Sequence, residues 1–183
     1  MQVISEFKKQ AKDPTRKQAA QERFRLARRF LNPLYPLILS GYAQHNSSVH
    51  AAFGRAMSHT LTNVIQGEFP HFKIAAPLAK ISNGMLSPVV VDTCLRTANS
   101  IELTWNRSPA IRDYSQWDDQ VVLCAYDVVG GQAAINEQLV LRKDAHMIIE
   151  LPSILYDRPV HLYLFLHDRD KKLYSRSQYL GLL

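Results

Sequence analysis

Cysteine is scarce in this chain of 183 residues: there are two, Cys94 and Cys124. Two are too few for a disulfide framework. Both lie in strand-like apolar runs, where a free thiol behaves as a small hydrophobe. Long apolar runs are absent, and none reaches the roughly 18–20 residues of a membrane-spanning helix. The opening MQVISEFKKQAKD has no apolar stretch between a basic start and a small-residue cleavage site, so it does not read as a secretory signal. The cytoplasm is the default expectation. Glycine is sparse at seven residues, with no Gly-rich phosphate loop and no Gly-x-Ser-x-Gly elbow. No His-x-x-x-His pair occurs, and no cysteine lies close enough in sequence to complete a zinc set. Asp118-Asp119 read as solvated turn residues, and the alternating loop His167–Lys172 lacks calcium-ligand spacing. The expectation is a protein that is not an enzyme, with no cofactor, metal or small-molecule substrate.

Acidic residues are also short in the first part of the chain. Residues 1–80 hold 12 Lys and Arg against 4 Asp and Glu, whereas residues 81–183 hold 10 against 12. The net charge of +6 therefore belongs to the N-terminal part, concentrated between Lys8 and Arg29. Such asymmetry bears on association and not on fold.

Two regions with different periods are present. Asp13-Pro14 is a helix start signal, and Ala20, Phe24, Ala27 and Leu31 then fall at helical spacing on one face. Phe30 is a second aromatic core position of this helix. Arg16, Glu22, Arg25, Arg28 and Arg29 take the other side. Asn32-Pro33 ends or bends this helix, and LYPLILSGY makes a short second one that stops at Gly41. A further helix is expected from a cap at Asn46 or Ser47 to Gly67, with Val49, Phe53, Ala56, Thr60 and Val64 on one stripe. Ala51, Ala52, Gly54 and Ala56 would let another backbone approach closely, so that the helices pack as a hairpin. Beyond residue 72 the period becomes two. Strands are predicted near 74–81, 88–95, 100–105, 120–128, 138–142, 147–151, 160–168 and 173–180, separated by turn chemistry such as SNG, TANS and VGGQ. The expected fold is α+β: a basic helical region over 1–72, then an antiparallel immunoglobulin- or fibronectin-like β-sandwich over 73–183.

The order of these pieces resembles a family of uncharacterised Bacteroidota proteins known only as a domain of unknown function. The resemblance rests on Phe30, Leu31, Pro33 and Leu34, then Gly67, Pro70, Lys80, Ile81, Ser82, Gly84 and Leu86, and at the end Ser177, Tyr179, Leu180 and Gly181. It covers the chain from about residue 14 onward. The family usually opens with a glycine-rich Ser-Gly-Lys-Val-Gly run, and this chain reads MQVISEFKKQ there. The resemblance supports the fold and implies no activity.

Two surfaces are candidates for contact. Arg16, Arg25, Arg28 and Arg29, joined by Lys8, Lys9, Lys12 and Lys17, could neutralise phosphates, although Glu22 can pair with Arg25 as on an ordinary helix face. Trp105, Tyr114 and Trp117 cluster around the loop NRSPAIRDYSQW. Of these, Trp105 reads as core, and Tyr114 and Trp117 as either packing or an interface anchor. The functional expectation is a non-enzymatic interaction or structural module, acting in assembly with itself or a protein partner within a larger structure. The alternative is a nucleic-acid-associated protein that uses the basic helix.

Overall fold

A computed structural model describes residues 14–42, 48–107 and 114–183. Helix α1 (Pro14–Leu31) passes through a 3₁₀ turn at Asn32–Leu34 into α2 (Tyr35–Gly41). The break at Asn32-Pro33 and the stop at Gly41 fall where the sequence places them. Ala27, Phe30, Leu31, Leu34 and Ile38 are buried. The inner face is rotated from the expected stripe, because Ala20 is exposed and Phe24 is 49% exposed. Arg23 takes the inner position instead. Its guanidinium donates to the Leu61 carbonyl at 2.5 Å and lies 5.6 Å from the Phe72 ring centroid. A long stem beneath a charged tip lets arginine fill an apolar seam that phenylalanine was expected to fill.

Helix α3 (Val49–His59) is capped by Ser48, whose hydroxyl accepts from the Ala51 N–H. The expected caps Asn46 and Ser47 lie outside the described residues. A π-helical turn, Thr60–Val64, follows. The helix ends before Gly67 because β1 (Ile65–Gln66) pairs with β2 (Lys73–Ile74) around Gly67, which sits at φ 90°. Of the small residues expected at a close approach, Ala52 and Ala56 are buried, whereas Gly54 faces open space.

The remaining strands form two antiparallel sheets. One has the order β3 (Val91–Arg96), β4 (Ser100–Trp105), β7 (His146–Glu150). The other has the order β6 (Gln132–Ile135), β5 (Gln120–Asp127), β8 (His161–His167), β9 (Gln178–Leu182). The α+β class follows. Strands β5 and β8 are buried on both faces. Cys124, Tyr126, Tyr163 and Phe165 share an apolar cluster with the helices. Val121, Leu123, Leu162 and Leu164 share another with Ile101 and Leu103 of β4 and Met147 and Ile149 of β7. Each such leucine contributes on the order of 1.5–3 kcal/mol by its burial.

Several expected strands are shorter or displaced. The predicted strand over 74–81 yields to a 3₁₀ turn at Ala76–Leu78, since Pro77 has no N–H to give a ladder. The predicted strand over 138–142 is reduced to an isolated bridge of Leu141 with Gln120, and the ladder on β5 forms earlier, on β6. Asn136 is the reason. Its side chain accepts from the Leu123 N–H and donates to the Val121 and Gln138 carbonyls, which interrupts the ladder between β6 and the bridge at Leu141. Strand β9 begins at Gln178, with Tyr174 and Ser175 making isolated bridges. No helix among the described residues is long and apolar enough to cross a membrane.

Candidate functional site

Arg16, Arg25, Arg28 and Arg29 are all exposed on α1. At about 100° per residue, Arg25, Arg28 and Arg29 fall within roughly 100° of the helix circumference, and Arg16 lies on the other side. The helix thus groups three of the four. Arg25 is held by Glu22 through two hydrogen bonds of 2.9 and 2.7 Å, which raises the arginine's pKa and lowers the carboxylate's. Phe24 stands beside Arg28 one turn on. Lys8, Lys9 and Lys12 lie outside the described residues.

Tyr114 is exposed at φ 70°, and Trp117 is half-exposed. Residues 108–113 of their loop lie outside the described residues. Trp105 is buried, as expected, and its indole N–H donates to the Arg142 carbonyl at 2.8 Å. Beneath the loop, Asp119 corrects the sequence reading, because it is buried and not solvated. It accepts from the Gln116 N–H and from Arg142, whose Nη2 also donates to the Ser87 carbonyl. Burial raises the carboxyl pKa, while these donors and Arg142 pull it back. The Asp119–Arg142 pair fastens the loop through Asp119 Oδ2.

Two histidines and one thiol are held structurally. His59 contacts the Leu78 carbonyl and the Asn63 amide, and His161 contacts the Tyr179 hydroxyl at 2.9 Å. Burial pushes the Cys124 thiol up to about 12. Among the described residues no three His, Cys, Asp or Glu side chains stand close enough to hold a metal ion.

Five of the positions that carry the family resemblance, Ile81, Ser82, Gly84, Leu86 and Ser177, meet in one seam. The Ser82 hydroxyl donates to the Ser175 carbonyl at 2.7 Å, and the Ser177 hydroxyl accepts from the Ile81 N–H. The Leu86 N–H donates to the Tyr174 carbonyl. Gly84 lies so close to that carbonyl that no Cβ fits. Phe30 gives its carbonyl to the Tyr126 hydroxyl. These residues hold the fold together and form no pocket of reactive groups.

The most unusual surface is one that the sequence did not mark. Strands β6 and β7 are outer strands of the two sheets, and a groove of about 930 Å³ opens between them. Ala134, Val140, Met147, Ile149 and Leu151 line its floor, and Asn136, Glu137, His146 and Glu150 its rim. Three large aliphatic side chains are exposed in this region: Ile135 and Ile148 at the groove, and Leu139 beside it at 67%. The signal available in the sequence was the alternation of His146, Ile148 and Glu150, which places an isoleucine on the outward face.

A family model described as "Family of unknown function (DUF6266)" matches residues 6–181. The chain belongs to that family. No curated protein and no solved structure matches it.

Proposed function

We infer that this member of a family without an assigned role is a non-enzymatic assembly module, working through protein surface and not through a reactive centre. The open edge carries the reading: two outer strands, a groove of about 930 Å³ and exposed Ile135, Leu139 and Ile148 coincide there. An apolar patch rimmed by polar groups is what protein contacts use. The β region is read more finely as an immunoglobulin- or fibronectin-like sandwich. In its support, the first, second and fifth strands beyond residue 90 form one sheet, and the third, fourth, sixth and seventh the other, a Greek-key distribution. Tyr114 and Trp117 supply a second contact surface at one end.

The basic face favours a second reading, nucleic-acid association, because Arg25, Arg28 and Arg29 share one exposed arc with Phe24 beside them. Cations with an adjacent aromatic ring suit single-stranded nucleic acid.

Light-scattering mass across a size-exclusion peak, with absorbance at two wavelengths, separates the two. A defined multiple of the 20.9 kDa chain without nucleic-acid absorbance supports assembly. A nucleic-acid-rich peak that collapses in high salt moves the working surface to the arginine face. A monomer at every concentration overturns self-assembly.

A further inference from the structure

The backbone of β7 has a defined polarity. Trp105 donates to the Ala145 carbonyl at 3.1 Å, and Leu151 to the Asn99 carbonyl at 2.8 Å. With the β4–β7 register of Leu103 opposite Met147 and Ile101 opposite Ile149, the odd-numbered residues bond to β4. Main-chain groups alternate in an antiparallel ladder, so His146, Ile148 and Glu150 turn their N–H and C=O groups to the free edge. The side chains of the same three residues lie on the outer face.

The other outer strands carry the usual protections against edge pairing. Strand β3 has a register shift between Val91 and Thr93, and β9 pairs across one between Leu162 and Tyr163. Strand β6 has four residues and is closed off by Asn136. Strand β7 is regular and contains no proline, glycine or lysine.

We propose that β7 pairs antiparallel with β7 of a second copy about a two-fold axis at Ile148, joining the three-stranded sheets into one of six strands. In that register Ile148 faces its own counterpart, and His146 of each copy faces Glu150 of the other. The sequence His-Met-Ile-Ile-Glu is therefore self-complementary: an imidazole meets a carboxylate at both ends, and an aliphatic pair fills the middle. The outward N–H and C=O groups of all three residues find reciprocal partners, as an isologous contact requires. Shifting the register by two residues would bring each Glu150 opposite Ile148 and lose both polar pairs. His146 contacts Glu102 of β4 through Nε2 at 3.0 Å, which leaves its other ring nitrogen, Nδ1, for the partner's Glu150. Ile135 and Leu139 flank the groove and extend the apolar contact beyond the five-residue strand. The inference rests on the assembly reading and names its partner and register.

Two sets of variants test it by light-scattering mass and sedimentation. Ile148→Pro removes only an N–H that points away from β4, a position an edge strand tolerates. It is expected to weaken association by about tenfold or more while the circular-dichroism spectrum stays unchanged. His146→Glu alone sets two carboxylates opposite each other at both ends of the homodimer, and Glu150→Lys alone takes away the carboxylate that faces the imidazole; each is expected to run as a monomer. Mixed one to one they restore complementarity at both ends, and the mixture is expected to run at twice the chain mass. A wild-type oligomer that ignores all three changes overturns the β7 contact and leaves the assembly reading standing on another surface. A wild-type monomer overturns both.

Discussion

The hydroxyl of Tyr126, on β5, donates to the main-chain carbonyl of Phe30, in the last turn of α1, at 2.8 Å. The last carbonyls of a helix have no partner within it, so the sheet supplies one. The two rings also pack with centroids 5.4 Å apart. Tyr126→Phe keeps the packing and removes the donor. It is expected to cost about 1 kcal/mol and to lower Tm by a few degrees, read by thermal melting.

Arg96 places its guanidinium on four carbonyls, those of Leu155, Tyr156, Arg158 and Leu183, at 2.6–2.9 Å. Lysine cannot present this planar fork. Arg96→Lys should destabilise by roughly 1–3 kcal/mol and Arg96→Ala by more, measured by the urea midpoint. An unchanged midpoint in both would show that water replaces the clamp.

Gly84→Ala is expected to disrupt the seam between residues 81–86 and 174–177, since the new methyl would strike the Tyr174 carbonyl. Backbone on the opposing side leaves little freedom to relax, and a loss of about 2 kcal/mol or more follows. Gly54→Ala, in open space within α3, should instead stabilise slightly through helix propensity. Urea titration of both variants gives the contrast.

Alkali should loosen the fold. Burial raises Cys124 from 9.0 to about 12 and Tyr42 from 10.0 to about 12. Both groups keep their protons longer in the folded chain than in the unfolded one. The unfolded chain binds fewer protons in this window, so stability is full below pH 9 and falls as pH rises toward 12. Thermal melts between pH 8 and 11 should show a falling Tm, and Cys124→Ala should remove the earlier part of the fall. Cys124 is also expected to resist thiol reagents in the native state and to react only on unfolding.

Where one signal dominated, the sequence was legible. Strand β4 covers the predicted 100–105, and the Leu162–Phe165 run is buried on both faces because β8 lies between helices and a second sheet. The misplacements have particular causes. Phe24 fits the helical stripe by hydropathy, but Arg23 fits the seam by shape and by its bond to Leu61. Asp119 looks solvated beside Asp118 until the fold brings Arg142 to it. The β6–β7 edge was illegible because nothing local tells which strand ends a sheet. Among the expected contact residues, three arginines gather on one arc and Arg16 does not.

The seam of Ile81, Ser82 and Leu86 with Tyr174, Ser175 and Ser177 joins positions more than 80 residues apart, and β8 needs β9 to cover one side. A ribosome that has delivered only residues up to 170 has therefore supplied the helices, the whole three-stranded sheet and three of the four strands of the other, without the piece that locks them. Until residues 174–182 emerge, the apolar surfaces of β5 and β8 remain incompletely covered. The nascent chain should depend on chaperones over that interval, and its folding should complete in one late step, not region by region.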